Sequence, residues 1–193
     1  MIPYKIGALV LAAGFSSRFG SVKLCAELDN GLTMLEQTLQ RISAVINPVI
    51  VDTRPELSNQ IISHDIPVHI FDQAERGMGA SLAYGISCIE HWDACLICLA
   101  DMPFIEQNTY QVLANTLASN TIVIPTYGNK KGNPVGFGRK FFKELKMLTG
   151  DGGARPVVQQ HSEAIVKVKI DDPAILWDID TPPDLILYHS HSS

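Results

Sequence analysis

"GALVLAAGFSSRFGSVK" fills residues 7–23. It opens as an unbroken apolar run and then breaks abruptly into glycine, serine, arginine and lysine. A run with no alternation of polar and apolar positions fits a strand covered on both faces, the condition of a parallel sheet. In an open sheet of that kind ligands bind beyond the carboxyl ends of the strands, which is where this loop would lie. Gly14 and Gly20 let the backbone come close to a ligand, and successive N–H groups can form a concave nest for an anion. Arg18 and Lys23 add fixed positive charge, the arginine with a fork that matches phosphate oxygens.

Two familiar phosphate loops do not fit. A Walker A loop needs four residues between its glycines and a lysine directly after; here the glycines are Gly14 and Gly20, and Lys23 comes later. The dinucleotide fingerprint needs G-x-G-x-x-G; "GFSSRFG" lacks its middle glycine and "GMGASL" (77–82) its last.

Outward from this stretch, short apolar runs alternate with helical patterns. Strands are expected at Lys5–Leu11, Pro48–Asp52, Pro67–Phe71, Ala94–Ala100 and Thr121–Pro125. Helices are expected from Thr33, capped with Glu36 as a capping box, to about Ser43, and then over Glu56–Ser63, Ala80–His91 and Ile105–Ser119. This rhythm predicts a three-layer, doubly wound α/β fold with a mostly parallel sheet. After Tyr127 the rhythm changes to a Gly/Asn/Lys loop, a strand in "NPVGFGR", two short helices and the strand "AIVKVKI". These predict a small antiparallel addition beside the main sheet.

The chain has 193 residues, 46% hydrophobic and 18% charged, which fits one ordinary globular domain. A net charge of −5 argues against a protein that coats nucleic acid. No stretch approaches the roughly 20 apolar residues of a membrane span, and no signal-peptide pattern precedes the first strand, so a cytoplasmic location is expected. Cys25, Cys88, Cys95 and Cys98 fit free thiols. Cys95 and Cys98 form a C-x-x-C, but on a strand that spacing sends the two side chains to opposite faces, so both are expected in the core. The scattered histidines suggest no metal cage.

A second signal sits in "ICLADMPFI", where Asp101 ends the fourth strand. A carboxylate beside a phosphate loop suits Mg²⁺ bridging polyphosphate oxygens, although a turn aspartate looks the same in isolation. With it, "LAAGFSSRFGSVK", "RGMGASL", "LADMP", "GNPVGF", "GDGGAR" and "DIDTPPDL" occur in an order that resembles the nucleotidyltransferases of the molybdenum cofactor cytidylyltransferase type. The resemblance runs from Gly7 to about Leu185 and implies a Rossmann-like nucleotidyltransferase domain over 1–189, followed by a polar tail at 190–193.

The resemblance implies an enzyme that moves CMP from CTP to the terminal phosphate of molybdopterin and releases pyrophosphate, with Mg²⁺ as cofactor and a molybdoenzyme as recipient of the product. It places Leu11, Ala12, Ala13, Gly14, Ser16, Arg18, Lys23, Gly77, Gly79, Ser81 and Asp101 around the nucleotide. Arg18, Lys23 and Asp101 are the catalytic candidates. Asp101 and Asp180 hold the metal, with Asp178 close behind as an alternative on the same side of an extended segment. Asp180-Thr181-Pro182 also reads as a helix start. Asn133 and Arg155 are assigned to the acceptor, Arg155 because a helix begins there and its fork suits a phosphate.

Guanylyltransferase relatives carry L-A-G-G in the first loop, whereas this chain has Ala13 before Gly14. That extra methyl favours a pyrimidine, by about 1–3 kcal/mol at most. "LCAEL" places Glu27 where such proteins usually have proline, adding a negative charge close to the loop in sequence. Two rival readings stand beside this one: another NTP or a sugar- or alcohol-phosphate acceptor on the same fold, and a non-catalytic carrier of the cofactor.

Overall fold

The computed structural model describes residues 4–14, 23–59, 61 and 66–189. Strand β1 (Ile6–Leu11) lies at the middle of the sheet, with Ala8, Leu9 and Val10 fully buried. It pairs in parallel with β2 (Val49–Thr53) on one side and β4 (Ala94–Leu99) on the other, and β3 (Val68–Ile70) extends the sheet beyond β2. β1 and β4 are apolar throughout because helices cover both faces, whereas β2 ends in Asp52 and Thr53 and β3, at the edge, is part-exposed.

One face packs against α1 (Met34–Ser43) and α4 (Gln107–Thr116), where Met34, Leu35, Leu39, Ile42, Tyr110 and Leu113 meet Ala8, Val10, Leu96 and Cys98. The opposite face packs against α3 (Met78–Cys88) and α5 (Phe142–Leu145), with Leu82, Ile86 and Leu145 against Leu9, Cys95 and Ile97. Cys95 and Cys98 therefore lie on opposite faces as expected, and burial pushes both thiols well above the ordinary range. The capping box forms too: the Glu36 N–H donates to Thr33 Oγ1 (3.2 Å) and the Thr33 N–H to Glu36 Oε2 (2.7 Å). Helix α2 (Pro55–Ser58) is short, and α3 starts two residues earlier than the pattern suggests and ends sooner.

The second half departs from expectation in one respect. Strand β5 (Ile122–Tyr127) joins the sheet as expected and β6 (Lys130–Lys131) follows it, but β7 (Val135–Gly138) is not added beside the sheet; it is inserted into it, antiparallel to both β4 and β5. The hairpin partner β6 pairs with the far end of β5, and β8 (Ile165–Lys169) takes the other edge of β5 in parallel. The short helix α6 (Arg155–Gln160) covers the α3 face, and α7 (Pro182–His189) is tied down by Tyr188 stacking on Trp177 at 4.9 Å. Among the described residues no helix is long and apolar enough to cross a membrane.

Asp52, at the end of β2, is fully buried and neither side-chain oxygen has a hydrogen-bond partner. Burial pushes its pKa up to about 7, and its charge bears on Tyr84 and Cys88 of α3. In the unfolded chain the same carboxyl titrates near 4. Below that pH both states are protonated and nothing is lost. As pH rises toward 7 only the unfolded chain sheds the proton, so stability falls, by about 4 kcal/mol at most once the folded group has ionised too. Asp52→Asn is expected to remove that slope, matching the wild type near pH 4 and exceeding it in denaturant melts at pH 8. An unchanged pH slope in the variant would show that Asp52 does not carry it.

Candidate active site

The carboxyl ends of β1 and β4 open into a cavity of about 530 Å³. Leu11, Ala12, Ala13, Gly14, Lys23, Gly77, Ser81, Asp101 and Asp180 all line it. Residues from five separate segments thus meet in one place. Gly79 does not line it; its N–H donates to the Gly150 carbonyl (2.7 Å) and so fixes the 149–153 loop. Ser16 and Arg18 lie outside the described residues. Glu27 is exposed, bridges Thr33 and borders neither cavity, so its charge is spent away from the site.

Asp101 is held by its surroundings. Polar side chains of α1 grip the chain on both sides of it: Thr38 Oγ1 donates to the Ala100 carbonyl (3.1 Å), Gln37 Nε2 to that of Pro103 (3.0 Å) and Arg41 Nη1 to that of Phe104 (2.8 Å). The Ile179 N–H donates to the Asp101 carbonyl (3.1 Å), which ties the "DIDTP" segment to the end of β4. Asp184 then accepts from the N–H groups of Asp180 (3.1 Å) and Thr181 (2.7 Å), so Asp180 sits at the mouth of α7 and faces the cavity at once.

Lys23 lies between the two carboxylates, its Nζ 2.8 Å from Asp101 Oδ2 and 3.2 Å from Asp180 Oδ1. Burial works to lower the pKa of Lys23, but the Asp101 and Asp180 carboxylates outweigh it and leave the ammonium above its ordinary value. Burial raises the pKa of Asp101, and the Lys23 ammonium offsets this only in part. Asp101 Oδ1 is buried and has no hydrogen-bond partner. Among the described lining residues, Glu75, Asp101, Asp151 and Asp180 are acidic and Lys23 alone is basic. An anionic ligand in so acidic a cavity needs further positive charge, and an unpartnered carboxylate oxygen offers a place for it. Among the described residues no three His, Cys, Asp or Glu side chains cluster as a metal-binding group.

A second cavity of about 610 Å³ adjoins the first, and Leu11, Met78 and Leu99 line both. Asn133 and Arg155 line this second cavity together with Lys131, Gln159 and a largely apolar wall. Asp178 also faces it rather than the first cavity, although its charge contributes to raising the pKa of Asp101. The two aspartates of "DIDTP" thus look into different cavities, which their shared side of an extended segment does not foretell.

Sequence reasoning missed Glu75 and Asp151 in the first cavity. Asp151 reaches it because the 149–153 loop lies directly over Gly77, a contact with no sequence signal beyond glycine at both places.

A family model, the MobA-like NTP transferase domain, matches residues 8–165. The molybdenum cofactor guanylyltransferase of Cupriavidus metallidurans is 26% identical, over 97% of this chain and 95% of its own length. The bifunctional protein GlmU of Dichelobacter nodosus is 28% identical over 83% of this chain, which spans only 34% of that longer protein. In structure, Rv0371c of Mycobacterium tuberculosis H37Rv superposes with a TM-score of 0.87 at 24% identity, covering 98% of this chain and 100% of its own. A manganese complex of Rv0371c superposes at 0.81 with 22% identity, covering 96% of this chain and 98% of its own. A matched region that takes in β1, the first loop, Asp101 and most of both cavities leaves one conclusion: the chain belongs to the MobA-like NTP transferase domain family and is a nucleotidyltransferase.

Proposed function

We propose that this nucleotidyltransferase moves a cytidylyl group from CTP to the terminal phosphate of a molybdopterin-type acceptor. The observation that carries the reading is the pair of adjoining cavities, with Asp101, Lys23 and Asp180 on the first and Arg155 and Lys131 on the second. The nucleoside triphosphate occupies the first cavity, between Ala13, Gly14 and Gly77. The acceptor occupies the second, its flat ring on the apolar wall and its phosphate toward Arg155. An oxygen of the acceptor phosphate attacks the α-phosphorus, the bond from that phosphorus to the β-bridging oxygen breaks, and pyrophosphate leaves. A phosphate nucleophile is already ionised near neutral pH, so no side chain need act as base.

Asp101 and Asp180 are the residues that would hold a divalent cation, Mg²⁺ in this reading, and the ion would supply positive charge to the phosphate oxygens. Lys23 places its ammonium where charge grows on the leaving pyrophosphate. Ala13 lines the first cavity and packs with Phe71, Ala74 and Ala80, so a side chain stands there where glycine would leave the wall wider, which favours the smaller base. The guanylyltransferase of C. metallidurans supports GTP as the second reading.

The deciding experiment offers CTP, GTP, ATP and UTP in turn with molybdopterin and Mg²⁺ and follows pyrophosphate and the dinucleotide product. CTP is expected to be used best. A preference for GTP would overturn the cytidylyl assignment, and no pyrophosphate from any of them would overturn molybdopterin as acceptor. Arg155→Ala is expected to raise the acceptor KM by about tenfold to a hundredfold, the loss of one charged hydrogen bond, and to leave CTP affinity unchanged. Equal damage to both substrates would move Arg155 out of the acceptor site.

A further inference from the structure

Asp101 comes from the end of β4 and Asp180 from the entry to α7, yet each turns an oxygen to the same ammonium of Lys23. The Lys23 side chain is only 11% exposed. Its backbone is anchored in a 3-10 turn, Lys23–Cys25, where the Ala26 N–H donates to the Lys23 carbonyl (3.1 Å). With the backbone anchored, the ammonium changes partner only by rotation of the four-carbon stem.

We infer that Lys23 and a divalent cation compete for the Asp101–Asp180 pair, the ammonium being the resident counter-ion that yields only when phosphate oxygens are there to receive it. The inference rests on the metal reading of Asp101 and Asp180 given above, and on no assignment of base or acceptor. A dication that bridged the two carboxylates with Lys23 in place would face the ammonium as a like charge a few ångströms away. Such a contact is costly beside Asp101, whose side chain is 22% exposed, and less so at Asp180, which is 39% exposed. The oxygens Asp101 Oδ2 and Asp180 Oδ1 are also already engaged as acceptors. A triphosphate in the same cavity resolves both problems. It offers Lys23 a new anionic partner within reach of a flexible stem, and the carboxylate oxygens are released. The protein therefore binds a bare divalent ion weakly and a metal–triphosphate well.

The test uses the full chain, stripped with chelator, and no nucleotide. Mn²⁺ binding is followed by the electron paramagnetic resonance signal of the free ion, for wild type, Lys23→Met and Lys23→Arg. Lys23→Met is expected to bind Mn²⁺ about tenfold or more tightly than wild type, since a like charge has gone, and Lys23→Arg to resemble wild type. In chelator Lys23→Met should melt below wild type, and saturating Mn²⁺ should close most of that gap. A gap that persists at saturating Mn²⁺ would show a merely structural lysine and overturn the inference. Mn²⁺ affinity no higher in Lys23→Met than in wild type would overturn it as well. If Lys23→Met does not fold in chelator, folding on addition of Mn²⁺ supports the competition and continued unfolding refutes it. Adding Asp101→Asn and Asp180→Asn to Lys23→Met separates the two layers of argument. Mn²⁺ binding that survives these changes would sink the metal reading itself, whereas its loss leaves only the role of Lys23 in question.

Discussion

Asp101→Asn is expected to lower turnover by about a thousandfold, the scale of removing one preorganised charge at a transferring phosphoryl group, and to leave the fold intact. The fold should survive because Asp101 ends a strand, and its loop is held by backbone carbonyls that Thr38, Gln37 and Arg41 grip whatever side chain follows. Burial already disfavours its charge, so the neutral amide removes a cost as well as the contact to Lys23. Steady-state pyrophosphate release beside a thermal melt makes the check. Turnover within about tenfold of wild type would take Asp101 out of the reaction centre.

The second large effect belongs to Gly77. Its φ of +95° and ψ of 170° place it in a region open in practice to glycine alone. A Cβ there would stand 2.5 Å from Asp151 Oδ1 and 2.6 Å from the Gly150 carbonyl group. Gly77→Ala thus combines backbone strain with a collision against main chain, and a loss of about 2–4 kcal/mol is expected. For a chain of this size that lowers the melting temperature by roughly 5–15 °C. Because the 149–155 loop lines both cavities, KM should rise for both substrates together. Normal KM values for both would mean that the loop shifts without consequence.

The centre of the sheet was legible because β1 and β4 are continuous apolar runs, and burial on both faces forces that pattern whatever the loops do. The capping box at Thr33 and the division of Cys95 from Cys98 followed from local geometry alone. The place of β7 did not. "NPVGFG" is short and glycine-rich, and which strand edges accept it depends on β4 and β5, distant in sequence; no periodicity encodes that pairing. The site shows the same division. Ala12, Ala13 and Gly14 after β1 and Asp101 after β4 could be placed at the cavity from position in the fold, since strand ends point where ligands go. Asp151 could not, and Asp178 could be named but not aimed, because the direction of both is set by how two irregular segments pack.

The insertion of β7 has one more effect. Ile97 of β4 lies opposite Val135 of β7, and the strands run in opposite directions. Four residues onward from Ile97 is Asp101, and two back from Val135 is Asn133, so both leave the sheet at the same end. One borders the first cavity and the other the second. The spacing between the two chambers is thereby linked to neighbouring hydrogen-bonded strands, whose separation of about 4.8 Å is among the least adjustable lengths in a protein. Under the proposed two-substrate reading, loops around either chamber can vary to admit a different base or ring, while the sheet acts as a ruler for the gap that the transferred group would cross.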